Sequence, residues 1–284
     1  MSRRTRLGLC IAAFSFSTLA AAGPITFSVG GNNTAASIQA TVDSFRAALG
    51  SPNNGNAAGP LASGRREINW DGGGAVDATP SGTPFNGFLN TRGAQFVTPG
   101  TGFLQAPLSG GATNGLAGIN PTYATTFSTF SALRLFVPTG SNVTDALFFL
   151  PGSNGAIAAT VSGFGAVFTD VDLPNSTSID LFDAQDNLLY SAFAPAGTIA
   201  DGSLSFLGVV FGAGERIARV RITTGNAALG PNDGGGIDVV GMDDFLYGEP
   251  RASVPEPTPL ALLGLGALWL LRARRRAAPR PGRT

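Results

Sequence analysis

The segment LSFLGVVFGAGERIARVRIT, residues 204–223, contains two different kinds of predicted β-strand. In LSFLGVVF nearly every residue is apolar, which predicts a central strand of a sheet. In RIARVRIT apolar residues alternate with Arg219 and Arg221, which predicts a strand with one buried face and one charged face. The GAGE between them is short and contains glycine, so we expect the two strands to form a hairpin.

Six further segments with a strand pattern lie after residue 132, at 133–137, 143–150, 159–171, 178–182, 188–193 and 237–247. DAQDN, at residues 183–187, predicts a second hairpin. Forty glycines and nineteen prolines, with only 13% charged residues, also indicate a turn-rich chain. Because no strand–helix–strand alternation is visible, we predict a mainly β domain over residues 65–250, an antiparallel β-sandwich of jelly-roll type.

One N-terminal amphipathic helix is predicted before this domain. Its apolar residues recur at spacings of four, three and four, at Ile38, Val42, Phe45 and Leu49. Asn33 or Thr34 is the expected N-cap, and Gly50 is the expected end. GSPNNGNAAGPLASG follows as a long loop or flexible connection, so residues 23–64 form a helix-and-loop segment.

The ionisable residues exclude several classes of function. The chain has no histidine, every basic residue is an arginine, and the only cysteine is Cys10. Histidine-dependent triads, histidine zinc sites and lysine Schiff bases are therefore excluded. Between residues 23 and 250, eight arginines face seventeen acids, a formal charge of −9, so we expect no binding to nucleic acid.

The first 22 residues have the pattern of a secretory signal peptide. Arginines precede the apolar stretch LGLCIAAFSFSTL, and Ala20 and Ala22 supply the small residues for cleavage before Gly23. We therefore expect export by the Sec machinery and removal of residues 1–22 by signal peptidase. Because Cys10 would be lost with them, no disulfide can stabilise the mature protein.

Three signals follow one another within residues 251–284. Pro255, Glu256 and Pro257 precede an apolar segment at 260–271, and a basic cluster follows it at Arg272, Arg274, Arg275 and Arg276. Twelve residues span about 18 Å as a helix, which is short for a hydrocarbon core of roughly 30 Å. The arginines would stay on the cytoplasmic side of the inner membrane. A short tail anchor is the alternative interpretation.

This order of motif, apolar helix and arginines resembles the PEP-CTERM sorting signal of Gram-negative bacteria. The resemblance implies an exosortase as partner, transient attachment to the inner membrane, and a final place at the cell surface or in an exopolysaccharide-containing matrix. The segments FGAVFTDVD and MDDFLYGEP also resemble parts of exported proteins of unassigned function that carry this signal.

Aspartates near strand ends are the residues best suited to bind a metal ion. We take Asp71, Asp170, Asp243 and Asp244 as candidate calcium ligands, with Asp172, Asp233 and Asp238 in similar turns, because calcium prefers oxygen ligands. The alternative is that these acids are solvated surface charges. No other cofactor is expected.

A non-enzymatic matrix or surface component is the function that these features favour. One alternative is a carbohydrate-binding module, for which Trp70 and Tyr247 could form a platform, although aromatic residues in strands are more often core. The other is a glycoside hydrolase that uses a carboxylate pair, either Asp170 with Asp172 or Asp243 with Asp244.

Overall fold

The computed structural model describes residues 23–72, 79–212 and 216–252, together with positions 269 and 272. The predicted signal peptide, with Ala20 and Ala22, lies outside these residues. So do Pro255, Glu256 and Pro257, the apolar segment 260–271 apart from Trp269, and the arginines at 274–276. Among the described residues, no helix is both long and apolar enough to cross a membrane.

The described chain is mainly β. Its strands are β1 (Ile25–Gly30), β2 (Arg65–Ile68), β3 (Thr79–Ser81), β4 (Ala94–Val97), β5 (Gly102–Ala106), β6 (Leu135–Thr139), β7 (Val143–Phe148), β8 (Ala159–Thr160), β9 (Gly163–Thr169), β10 (Ser178–Phe182), β11 (Leu188–Phe193), β12 (Leu204–Val210), β13 (Arg219–Thr223), β14 (Gly241–Gly248) and β15 (Arg251–Ala252). Its helices are α1 (Ala36–Leu49), α2 (Leu89–Arg92) and α3 (Tyr123–Thr126), with a 3₁₀ turn at Gly115–Gly118.

Two antiparallel sheets pack face to face. The larger has the order β1-β12-β9-β14-β6-β5-β3, with β2 also paired to β14, and the smaller has the order β11-β10-β13-β7-β4. A separate pair joins β15 to β8. The apolar core between the sheets takes Phe168 and Phe245 from the larger sheet, and Leu181 and Ile222 from the smaller one. The prediction of a mainly β, sandwich-like fold is therefore confirmed.

The apolar character of LSFLGVVF follows from what covers each face of β12. This strand is paired on both edges, to β1 and to β9, and all seven of its residues are buried. One face contacts the core between the sheets, and the other contacts α1 through Phe206 and Val210. The prediction of a central strand is confirmed, and a helix over one face explains the absence of polar alternation.

The prediction of a hairpin across GAGE is wrong. β12 belongs to the larger sheet, whereas β13 pairs with β10 and β7 in the smaller sheet. The connection therefore crosses from one sheet to the other, and its residues 213–215 lie outside the described part. The alternation in β13 is as predicted, because Val220 and Ile222 are buried while Arg221 is exposed. The DAQDN hairpin is also confirmed, between β10 and β11.

Helix α1 buries the four residues expected from its spacing, Ile38, Val42, Phe45 and Leu49. The Phe45 ring lies directly over Gly165 and Gly208, where an added Cβ would come within 2.7 Å of it, so both strands need glycine at these positions. Gly50 ends the helix as predicted, with a φ of 100°.

The predicted N-cap of α1 is wrong. The residue before the helix is Ala35, and no side chain in the described part of the chain caps the helix there. Asn32 instead organises the preceding turn, because its Oδ1 accepts a hydrogen bond from the Thr34 backbone N–H at 2.9 Å.

The loop after α1 is tied to the sandwich by a buried ion pair. Arg66 in β2 and Glu249 after β14 form two hydrogen bonds of 2.7 Å, and both side chains are buried. Asn54 Nδ2 and the Leu61 backbone N–H donate to the Glu249 carboxylate, at 2.8 and 3.1 Å. The Arg66 guanidinium also donates to the Gly55 carbonyl, so this loop is a fixed part of the fold.

Candidate metal centre

Three loops meet at one end of the larger sheet. Strand β9 ends at Thr169, which pairs with the first residue of β12, Leu204, and with the first residue of β14, Gly241. Because β9 runs antiparallel to both neighbours, the loop after β9 lies beside the loops that precede β12 and β14. Each of these loops carries aspartates.

Asp170, Asp172 and Asp233 form a carboxylate cluster at this end. One carboxylate oxygen from each residue lies within 4.8 Å of the corresponding oxygens of the other two. Asp170 is fully buried, whereas Asp172 and Asp233 are partly exposed. The cluster therefore has a buried floor and a rim that water reaches. We call these three residues the Asp trio.

The Asp170 carboxylate is only half satisfied. Its Oδ1 accepts a hydrogen bond from the Gly202 backbone N–H at 2.9 Å, but its buried Oδ2 has no hydrogen-bond partner among the described residues. The backbone of Asp170 is left-handed, with a φ of 69°, a conformation that aspartate and asparagine tolerate better than most residues. Leaving a buried acceptor unpaired costs about 1–3 kcal/mol.

Asp238 and Asp233 fix the loops that hold the trio. Asp238 is fully buried, and its Oδ1 accepts the Asp172 backbone N–H at 3.2 Å, while its other oxygen accepts the Ser176 hydroxyl. Asp233 Oδ1 accepts the Val239 backbone N–H at 3.0 Å. The loops after β9 and before β14 are thus joined by the acids themselves.

Burial and repulsion from nearby acids disfavour ionisation of Asp170 and Asp172. Burial, opposed by the Gly202 hydrogen bond and reinforced by nearby acids, raises the pKa of Asp170 to about 8. Burial and the charges of Asp233 and Asp238 raise the pKa of Asp172 to about 6. Asp201 adds to both shifts. Among the described residues, the charged neighbours that contribute to these two shifts are acids.

In the presence of a chelator, we expect the protein to lose stability as the pH rises from about 4 to about 8. The pKa of Asp170 is about 8 when folded against an ordinary value of 3.8. In this window the folded chain therefore holds a proton that the unfolded chain has released. The free energy of unfolding should fall by about 1.4 kcal/mol per pH unit for one such proton.

Urea unfolding across this pH range, on wild type and Asp170→Asn, measures the effect. The slope of the variant should be shallower by about 1.4 kcal/mol per pH unit, the share of one proton, because asparagine does not titrate. Equal slopes in the two proteins would show that Asp170 is not the responsible group.

Three of the four predicted calcium ligands, Asp71, Asp243 and Asp244, lie in a second cluster that does not include Asp170. Ser131 Oγ lies 3.1 Å from Asp243 Oδ1 and 2.7 Å from Asp244 Oδ1. Adjacent strand residues normally point to opposite faces, but the register of β14 against β9 shifts between Met242 and Phe245, which lets both aspartates approach Ser131.

In the second cluster, other protein groups compensate the charge of the acids. Arg46 lies 3.7 Å from the Asp244 carboxylate, and the Phe130 backbone N–H donates to Asp243 Oδ2 at 2.6 Å. Asp71 accepts the Arg134 backbone N–H at 3.1 Å. Burial raises the pKa of both Asp243 and Asp244, and the two share a side-chain hydrogen bond. Protein groups therefore already satisfy these acids, which differ in this respect from the Asp trio.

Trp70 and Tyr247 do not form an exposed sugar platform. Both are fully buried in the core between the sheets. Trp70 Nε1 donates to the Asp243 backbone carbonyl at 2.8 Å, and the Tyr247 hydroxyl donates to the Arg92 carbonyl at 3.1 Å.

A hollow of about 260 Å³ lies on the smaller sheet. Arg219, Asp183 and Asp186 line it together with apolar residues that include Phe149. No member of the Asp trio borders it, so the hollow and the carboxylate cluster are separate features.

Comparison of the chain with protein-family models, with curated proteins and with solved structures finds no match.

Proposed function

We propose that this chain is an exported protein that an exosortase processes at Pro255-Glu256-Pro257, and that it acts at the cell surface or in an exopolysaccharide-containing matrix without a catalytic role. The observation that carries the proposal is the order of motif, apolar segment and arginines in residues 254–276. The N-terminal pattern of residues 1–22 supports export through the Sec system and cleavage by signal peptidase.

The position of the folded body between the two signals supports this proposal. Strand β1 begins at Ile25, three residues after the predicted signal peptide, and it pairs along its whole length with β12. At the other end, β15 stops at Ala252, three residues before Pro255. Cleavage at either signal would therefore leave every described strand in the released protein.

The chemistry of the body fits an extracellular component. It has no cysteine to oxidise, it carries a formal charge of −9 between residues 23 and 250, and a buried ion pair and an aromatic core stabilise it. We also propose that the sandwich is of the jelly-roll class, which its two antiparallel sheets of eight and five strands support.

Replacing Pro255, Glu256 and Pro257 together with alanine should keep the protein in the inner membrane. The apolar segment and the basic cluster would remain, but the site of processing would be lost. Cell fractionation and immunoblotting of the variant and the wild type measure the change.

The chain offers a matched control in Pro279, Arg280 and Pro281, a second proline pair around a charged residue in the same tail. Alanine at these three positions should leave release unchanged. The proposal would be contradicted if the first variant were released as efficiently as the wild type. It would also be contradicted if both variants were retained equally.

A further inference from the structure

We propose that Asp170, Asp172 and Asp233 bind one calcium ion at the end of the larger sheet where the loops beside β9, β12 and β14 meet. The site is independent of export, since it rests only on the geometry of the folded body. Two separate observations carry it: the convergence of three carboxylates and the unpartnered buried oxygen of Asp170.

The spacing of the carboxylates suits one ion. Calcium binds oxygen at about 2.3–2.6 Å, so two ligands on opposite sides of the ion are about 5 Å apart. The trio's oxygens all lie within 4.8 Å of one another, and no large rearrangement is needed for them to contact a shared ion.

The described part of the chain offers no partner for the second oxygen of Asp170. A buried acceptor normally has a hydrogen-bond donor, and Asp170 Oδ2 has none there, although Oδ1 of the same carboxylate accepts the Gly202 N–H. A cation at the trio would satisfy this oxygen and would also neutralise the acids on the rim.

Carboxylates coordinate a cation only when they are ionised, so calcium binding to the trio should strengthen as the pH rises.

The residue types select a hard cation. The trio consists of aspartates alone, so it offers none of the histidine nitrogen and cysteine sulfur ligands that zinc and copper prefer. Carboxylates suit calcium and magnesium. Calcium accepts an irregular arrangement completed by water and backbone carbonyls, whereas magnesium demands near-ideal octahedral geometry. Three carboxylates from two loops, with a partly open rim, fit calcium better.

Asp238 acts as a positioning residue. It is buried and accepts hydrogen bonds from the Asp172 backbone and the Ser176 side chain, so it fixes the loop that carries two of the three ligands.

Calcium binding is tested on the full chain in a mild non-ionic detergent, at fixed pH and ionic strength. Equilibrium dialysis with radioactive calcium measures the stoichiometry, and thermal melts with calcium or chelator measure the stabilisation. We expect one ion per chain. At a hundredfold excess of calcium over Kd, the melting temperature should rise by roughly 5–10 °C.

Asp170→Asn and Asp233→Asn should each weaken binding at least tenfold and remove most of the thermal shift. Asparagine keeps the shape of the side chain and tolerates the left-handed backbone of Asp170. Two variants are used so that the test stands if one fails to fold. Asp186→Asn is the matched control: its side chain is exposed, it has the same left-handed backbone, and it pairs with Arg219 away from the trio.

Three results would overturn the proposal. The wild type could retain no calcium and melt identically with chelator. The trio variants could bind calcium as the wild type does, which would place the ion elsewhere. Magnesium could stabilise the protein as much as calcium at equal concentration, which would remove the assignment to calcium.

Discussion

Replacing Arg66 with methionine should lower the free energy of unfolding by about 3–5 kcal/mol, because it leaves the Glu249 carboxylate buried without its charge partner. The two side chains are buried and share two hydrogen bonds of 2.7 Å. Arg66 also donates to the carbonyls of Gly55, Ala57 and Thr91, so the change would release the loop after α1 as well. Thermal or urea unfolding measures the loss, which corresponds to roughly 6–20 °C in melting temperature.

Two further variants make the Arg66 test specific. Arg221→Met removes an exposed pair with Asp145, in which the arginine side chain is 45% exposed, and should cost no more than about 1 kcal/mol. The double variant Arg66→Met with Glu249→Leu removes both buried charges and should recover part of the loss. A cost for Arg66→Met no larger than for Arg221→Met would show that the buried pair does not stabilise the fold.

Replacing Trp70 with alanine should also cost about 3–5 kcal/mol, because it empties the centre of the aromatic core. The Trp70 ring stacks on Phe136, with centroids 3.7 Å apart, and contacts Phe245 and Phe96 edge to face. Phe136 and Phe245 belong to the larger sheet and Phe96 to the smaller, so Trp70 joins the two layers. The lost indole would also leave the Asp243 carbonyl without its 2.8 Å hydrogen bond.

Phe193→Ala is the control for Trp70→Ala. Phe193 is an aromatic residue on the edge strand β11 and is 51% exposed, so its loss should change stability by less than about 1 kcal/mol. Urea unfolding of both variants under the same conditions compares them. If both variants lost similarly little free energy of unfolding, the interface between the sheets would not depend on Trp70.

Local patterns predicted α1 and several strands in the second half of the body. The spacing of Ile38, Val42, Phe45 and Leu49 identified the buried face of α1, and the bounds predicted for β10 and β11 are those observed. These features depend on residues close together in sequence. The strands β1, β3, β4 and β5 were not predicted. β1 is an edge strand whose residues are exposed or half-buried and show no clear alternation.

The way in which the strands are arranged into two sheets was harder to predict. The GAGE turn gives no sign of whether the next strand pairs in the same sheet or crosses to the other one, so the hairpin prediction failed. The prediction for residues 159–171 merged two strands, because Val161 and Ser162 interrupt an apolar run without a turn signature.

The candidate metal site was also only partly predicted, because it depends on how the strands are arranged. Asp170 was predicted as a calcium ligand, whereas Asp172 was paired with it as a possible hydrolase acid. Asp172 and Asp233 were placed among similar aspartates, and Asp201 was missed. Convergence depends on β9 lying between β12 and β14, which no local pattern reveals. Asp201 could have been found from the sequence because, like Asp170, it lies within three residues of a strongly apolar strand. The register shift that turns both Asp243 and Asp244 toward Ser131 was likewise invisible.

The intact mass of the protein recovered from the extracellular fraction tests the proposed function most directly. The account predicts a chain that begins at Gly23 and ends near Pro255-Glu256-Pro257, without the apolar segment and the arginines that follow it. A mass that corresponds to a chain ending at Thr284 would contradict processing at this motif.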